Sequence, residues 1–452
     1  MKVLLVVHLF LPDYFAGTEI LTLHTAHELR SRGHEVEVFT AFPGVSDMSD
    51  QERFDRYVFE GIPVTRFKHA HSPMDGQNNV AEQEYDNSLV ARHFEGLLKE
   101  FQPDVVHFFH LMRISASIVD VCLRWHVPTV LTPTDFWFVC PTSQLRLPDG
   151  SMCPGPDPTG GNCVSHLASL KLPRTAARVM RFLPSAVVRS AVHMAGLGLF
   201  KGLGPLKLVA ALSRRQGFLR DRLNRIDRVL VPTQFMHDTL QRNGLNPTHV
   251  QHCAYGIRLP HMAPRGQCST GPLRLGVIGV GEHKGAHILI EAVRKLGHVD
   301  LLVRIYGRPS DAPNHMRRLT ALATGDPRIA FCGSFPNDRI GDILSELDVL
   351  VVPSIWFENA PLVIYSAQAA GLPVIASNVA GVAEMITEND NGCLFPPGDV
   401  DSLAAIINRL ANDRGQVSRL SERARMPTTI ATYPAEVLSV YEEIGTARRY
   451  RS

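Results

Sequence analysis

The chain opens with an unbroken apolar run, Val3-Leu4-Leu5-Val6-Val7. A loop containing Gly17 follows, then an amphipathic stretch near Ile20–Arg32 that stops at Gly33, and a second apolar run near Val36–Thr40. Short continuous apolar runs bounded by loop residues predict strands buried on both faces, and 3.6-residue periodicity between them predicts a helix. The alternation resumes with a helix over Leu89–Phe101, a strand at Pro103–His107 and another at Val127–Thr132, and Asp227–Pro232 continues it after a long departure. It restarts with a strand at Leu273–Ile278, a helix at Ala286–Leu296 and strands at Leu301–Tyr306 and Val349–Pro353. A helix at Pro361–Ala370 and a strand at Pro373–Ala376 complete it. The pattern predicts the α/β class, with two Rossmann-like, doubly wound parallel-sheet domains facing each other across a cleft and ligands at the carboxyl ends of the strands.

These elements divide the chain into a first domain over 1–256, a linker over 257–272 and a second domain over 273–430. A terminal helix over 431–452 is expected to pack back on the first domain. The first domain carries an insertion at about 140–225, rich in Pro, Gly, Cys and Arg and mainly helical after residue 167. The linker is assigned because Arg258–Gln267 lacks periodicity and holds Pro260 and Pro264. A length of 452 residues suits two cores better than one.

Composition narrows the classes. Apolar residues at 45% and charged residues at 20% exclude a largely disordered or fibrous chain, and a formal net charge of +2 gives no reason to expect nucleic acid. The opening run lacks a cleavage site and leads directly into a helix, so it reads as a strand rather than a signal peptide. No charge-free apolar stretch approaches bilayer length. With eight widely spaced cysteines, reduced thiols and a cytoplasmic location are the expectation. Charge is uneven, however: Lys171 to Arg228 holds thirteen Lys and Arg against Asp221 and Asp227, interleaved with apolar residues. That stretch suits peripheral docking on an anionic membrane surface as well as it suits a solvated helix face.

Two segments carry candidate chemistry. In Gly276-Val277-Ile278-Gly279-Val280-Gly281-Glu282-His283-Lys284-Gly285, glycines after a strand let backbone amides approach a phosphate, and Lys284 can neutralise a diphosphate. A dinucleotide fingerprint fails there, because its third glycine falls on Lys284. In Pro353-Ser354-Ile355-Trp356-Phe357-Glu358-Asn359-Ala360-Pro361, a strand end leads through Glu358 to a helix start whose free amides suit an anion or a hydroxyl. Asp399-Val400-Asp401 mimics a metal-binding Asp-x-Asp, but its place after Pro396-Pro397-Gly398 reads as a helix cap. Cys140, Cys153 and Cys163 near His166 lack the paired Cys-x2-Cys of a zinc site, and His107 and His110 could be catalytic, although a packed or hydrogen-bonded histidine at a strand end is the commoner case.

The stretch from Glu358 through Ser366 to Gly371-Leu372-Pro373-Val374-Ile375-Ala376 resembles the signature of glycosyltransferase family 4. The likeness continues through Asn378–Glu384 and Asn391–Asp399. Gly279–Gly285 is similar to that family's phosphate loop, without its Arg. Phe15-Ala16-Gly17-Thr18-Glu19 is similar to its glycine loop, and Thr134-Asp135 stands where many relatives have His-Asp. Ser366 departs from the pattern, occupying the position of the family's second Glu.

The resemblance implies a GT-B architecture and a metal-independent retaining hexosyltransferase. Such an enzyme moves a sugar from a nucleotide sugar, UDP- or GDP-linked, to a glycan or lipid-linked acceptor in polysaccharide or lipopolysaccharide assembly, with no cofactor. It implies Glu358 and Lys284 as catalytic groups. Gly17, Gly279, Gly281, Lys284, Asn359, Leu362, Val363 and Ser366 would contact the donor, and Asp135 the acceptor side. A nucleotide-sugar epimerase and a non-catalytic nucleotide-sugar-binding protein stay open beside it, the latter because of Ser366 and the missing Arg.

Overall fold

In a computed structural model, the described residues are 1–46, 48–77, 79–147, 149–171, 190, 192, 194, 204–245, 250–258, 271–424 and 432–449. They form two compact units, one of Met1–Ala254 with Ala431–Ser452 and one of Tyr255–Ile430. Each is built on its own sheet, as the α/β expectation requires.

The first sheet has the strand order β3-β4-β2-β1-β5-β6-β7-β8. The strands are β1 (Lys2–Val7), β2 (Glu35–Phe42), β3 (Phe54–Phe59), β4 (Ile62–Lys68), β5 (Val105–Phe108), β6 (Thr129–Leu131), β7 (Arg228–Val231) and β8 (Val250–His252). All neighbours are parallel except β3 against β4. Val3 to Val7 are fully buried, which is why an unbroken apolar run forms this central strand. The hairpin β3-β4 was not expected from the sequence. Its turn is Glu60-Gly61, both at positive φ (46° and 78°), the conformation that twists two antiparallel strands together.

The helix Gly17–Ser31 joins β1 to β2, and Ser88–Phe101 precedes β5. Asn87 caps the latter by accepting from the Val90 amide at 3.2 Å. The helix Thr432–Arg449 belongs to this unit. Its Tyr441 hydroxyl lies 2.6 Å from His107 Nδ1, while His107 Nε2 lies 2.8 Å from Thr132 Oγ1. Burial lowers His107 to about 3, so it is a neutral packing residue.

The second sheet is all parallel, in the order β11-β10-β9-β12-β13-β14. Its strands are β9 (Leu273–Ile278), β10 (Leu301–Tyr306), β11 (Ile329–Gly333), β12 (Val349–Val352), β13 (Val374–Ser377) and β14 (Gly392–Phe395). The helices Ala286–Lys295 and Val400–Asn412 bury apolar faces against it, through Leu289, Ile290, Val293, Leu403, Ile407 and Leu410. Asp399 accepts from the Ser402 amide at 2.9 Å and from the Ser402 hydroxyl at 2.6 Å, so the Asp-x-Asp sequence is a helix cap.

Of the basic stretch, residues 172–189 and most of 191–203 lie outside the described residues, and so does the linker from 259 to 270. The helix Gly204–Leu223 is described, and three of its arginines, with Arg225 just beyond it, have partners. Arg214 pairs with Glu82, Arg222 and Arg225 pair with Asp120, and buried Arg215 bonds the Trp137 carbonyl beside that ring. Among the described residues, no helix is long and apolar enough to cross a membrane.

Candidate functional site

In the second sheet β9 lies between β10 and β12, so the chain leaves β9 toward one side of the sheet and leaves β12 toward the other. Such a switch point opens a crevice at the strands' carboxyl ends. Two loops meet there. After β9, Gly279 turns at φ +115°, and Gly285 at φ +75° opens the helix Ala286–Lys295. A Cβ on Gly285 would stand 1.8 Å from the Pro353 carbonyl oxygen, so only glycine lets this loop lie on the end of β12. The Ile355 amide donates to the His283 carbonyl at 2.9 Å and ties the loops together.

The result is a contact between residues 74 apart in sequence. Lys284 Nζ donates to Glu358 Oε1 at 2.7 Å, and the Ser354 hydroxyl donates to the same oxygen at 2.8 Å. Glu358 is buried, whereas the Lys284 side chain is 31% exposed. Burial pushes the Glu358 carboxyl up. The adjoining Lys284 ammonium and the Ser354 hydroxyl together hold it below the usual carboxylate range, so the carboxyl is ionised. Lys284 also stands 5.3 Å from the centre of the Trp356 ring. The Lys284 stem passes over Gly279, where a Cβ would come within 3.1 Å of its Cγ.

Both charged groups line a recess with Val277, Ile278, Pro353, Ser354, Pro361 and Val363. The helix Leu362–Ala369 starts at this recess with Pro361 as its N-cap residue, and the first-turn amides of Leu362 and Val363 have no acceptor within the helix. Gly381 fixes the approach to that helix. At φ +84°, its missing Cβ would lie 2.1 Å from the Glu358 carbonyl oxygen and 2.2 Å from that of Asn359.

Of the residues singled out in the sequence, Gly279, Gly281, Lys284, Glu358, Asn359, Leu362 and Val363 gather at this point. The Asn359 side chain donates to the Tyr255 hydroxyl at 2.8 Å. Ser366 lies one turn into the helix, and its hydroxyl donates back to the Leu362 carbonyl at 3.1 Å. Gly17 and Asp135 belong to the first unit. Gly17 is exposed at the first turn of its helix, and Asp135 follows β6.

Asp135 there joins a cluster that the sequence did not reveal. His110 Nδ1 accepts from the Met112 amide at 3.1 Å, so Nε2 carries the proton and donates to Asp135 Oδ2 at 2.6 Å. His8, directly after β1, lies with its ring 4.0 Å from that of His110 and 3.8 Å from the Glu19 carboxylate. Glu19 is 1% exposed, and burial raises it to about 7. Burial lowers His8 well below its ordinary value, with His110 and Arg113 adding to the effect. His8 Nδ1, Glu19 Oε2 and Arg113 Nη1 are buried without hydrogen-bond partners among the described residues. The sequence offered Asp135 as an acceptor-side candidate, His110 as a strand-end histidine and Glu19 as part of the glycine loop, but nothing in it pointed to His8 or to their meeting.

Two family models match the chain. Residues 270–426 match glycosyl transferases group 1, and residues 16–153 match the glycosyl transferase 4-like domain. The amylovoran biosynthesis glycosyltransferase AmsK of Erwinia amylovora is 34% identical over 171 residues, 35% of this chain and 41% of that protein. The putative colanic acid biosynthesis glycosyltransferase WcaL of Salmonella typhimurium is 27% identical over 196 residues, 41% of this chain and 48% of that protein. The chain thus spans less than half the length of these curated relatives. Among solved structures, Anabaena Alr3699/HepE in complex with UDP and glucose superposes with a TM-score of 0.64 at 16% identity, covering 98% of this chain and 99% of that one.

Proposed function

Because the chain belongs to the family 4 glycosyltransferases, with the GT-B fold, we propose that it transfers a hexose from a nucleoside diphosphate donor to a growing surface polysaccharide, with retention of configuration. The observation that carries this reading is the Lys284–Glu358 pair at the switch point of the second sheet. Lys284 meets the donor diphosphate, and as the glycosidic bond breaks its charge stabilises the departing phosphate together with the amides of Leu362 and Val363. Glu358 is ionised and keeps lone pairs free for sugar hydroxyls, so it orients the hexose. The leaving phosphate takes the acceptor proton on the same face, which accounts for retention without a strong base beside Lys284. Neither a cofactor nor a metal ion acts at this diphosphate.

The His8–Glu19–His110–Asp135 cluster of the first unit, with its buried unpaired polar atoms, would bind a polar part of the acceptor. UDP is the favoured nucleotide, supported by the UDP held in the HepE structure. A lipid-linked acceptor agrees with the basic stretch over 171–228, which would hold the enzyme on the cytoplasmic face of an anionic membrane.

The test separates donor groups from acceptor groups. Lys284→Ala should cut turnover by about two orders of magnitude, the equivalent of about 3 kcal/mol for one electrostatic contact to the leaving group. Glu358→Gln should weaken a UDP-sugar while leaving UDP itself nearly unaffected. Unchanged turnover in the first variant, or equal loss of both ligands in the second, would remove the pair from the donor site. UDP released only when an acceptor extract is present distinguishes transfer from epimerisation, and donor binding without turnover against any extract would favour a non-catalytic binding protein.

A further inference from the structure

Three side chains outside both clusters converge just past the end of β4. His69 and His71 are two residues apart in the loop that follows β4, and their rings lie 4.9 Å apart. Glu84, after the short helix Val80–Gln83, brings one oxygen, Oε1, 3.2 Å from His69 Nε2 and 3.3 Å from His71 Nδ1. Both separations exceed the roughly 2.7–2.9 Å of a good charge-assisted hydrogen bond. They are close to the edge of about 3.3–3.4 Å between ligands held tetrahedrally at roughly 2.0–2.1 Å from one ion. Among the described residues, this is the group of three whose ligand atoms all lie within 4.8 Å of one another. Cys140, Cys153, Cys163 and His166 border a common recess but do not meet that measure.

The surroundings fit the same chemistry. His69 is 1% exposed, and its Nδ1 has no hydrogen-bond partner, whereas the His71 side chain is 75% exposed and leaves one side of the group open to water. Two imidazoles with one carboxylate favour a borderline transition ion over magnesium or calcium, which take oxygen ligands.

We propose that His69, His71 and Glu84 bind a divalent ion of the zinc class through three protein ligands, with a fourth position open to solvent. The ion joins the end of β4 to the segment around Glu84. It lies in a different unit from Lys284 and Glu358 and takes no part at the donor diphosphate.

The test uses the full chain, stripped with a chelator and titrated with Zn2+ by calorimetry and with Co2+ by absorption. Binding of one equivalent is expected, with Co2+ d–d bands of nitrogen and oxygen ligation and no thiolate charge-transfer band. His71→Ala, at an exposed position that leaves the fold intact, should weaken the ion about tenfold or more, and Glu84→Gln should do the same. Zn2+ should raise the unfolding temperature of the parent and not that of either variant. The proposal is overturned if the chain takes up no ion or if His71→Ala binds as tightly as the parent. It is equally overturned if a thiolate charge-transfer band places the ion on the cysteines.

Discussion

Replacing Glu19 by Gln should change how stability depends on pH, in a direction fixed by where the side chain lies. Glu19 sits in the first turn of the helix Gly17–Ser31 at 1% exposure, with Oε2 unpaired and a neutral His8 beside it. Burial raises its carboxyl from 4.5 to about 7, while its backbone hydrogen bonds, His110 and Arg113 pull the other way. Between those two values the folded chain keeps a proton that the unfolded chain has released. Stability is therefore lost as pH climbs from 4.5 to about 7, and the loss is complete above that. A displacement of that size is worth about 3 kcal/mol at 1.36 kcal/mol per pH unit. Gln keeps the shape and stays neutral. At pH 5 parent and variant should unfold within about 1 kcal/mol of each other, and at pH 8 the variant should be the more stable by up to about 3 kcal/mol. With about 2–4 °C per kcal/mol for a unit of this size, calorimetric scans should separate by roughly 6–12 °C. A difference that stays constant from pH 5 to pH 8 would refute the raised carboxyl. A difference of opposite sign would mean that Glu19 is ionised and paired with a protonated His8.

Gly381→Ala should be more damaging than its distance from any charged atom suggests. The new methyl forces apart the backbone of Glu358 and Asn359 at a positive φ, so a loss of about 1–3 kcal/mol in thermal unfolding should accompany weaker binding of a UDP-sugar. Native-like donor affinity would show that the 358–361 loop does not position the donor. Vesicle binding should require anionic lipid, weaken with salt and fall when Arg174, Arg178, Arg181 and Arg189 are changed to Glu, since each basic residue near such a surface contributes about 1 kcal/mol. Arg215 and Arg222 are poor choices for that test, because they are tied to Trp137 and Asp120 inside the first unit. Binding indifferent to salt and lipid charge would leave a soluble acceptor as the reading.

What the sequence revealed and what it hid follow from the same geometry. Central parallel strands are buried on both faces, so Val3–Val7 and Val349–Val352 are unbroken apolar runs that can be recognised one strand at a time. The edge strands β3 and β11 are only half buried, with polar and apolar residues mixed, and Glu60-Gly61 lacks the Asn-Gly that announces a tight hairpin. The glycines and Lys284 were visible because a tight loop that lies on the end of a neighbouring strand needs glycine where a Cβ would clash, as at Gly285. That Ser366 bonds back to Leu362 was not visible, since hydroxyl orientation leaves no trace in spacing.

The pairings were the least legible part. Lys284 meets Glu358, and His110 meets Asp135, because each residue follows one of two adjacent parallel strands, β9 beside β12 and β5 beside β6. Strand order decides this, and no local pattern encodes strand order. Inserting one strand between β9 and β12 would leave both motifs intact in the sequence and move their loops about 5 Å farther apart. At that separation the 2.7 Å contact is lost, and Glu358 would be left with a buried charge lacking its cation. A family-like motif on each strand is therefore not enough to bring Lys284 to Glu358. The adjacency of β9 and β12 is what turns two recognisable loops into one ionised pair.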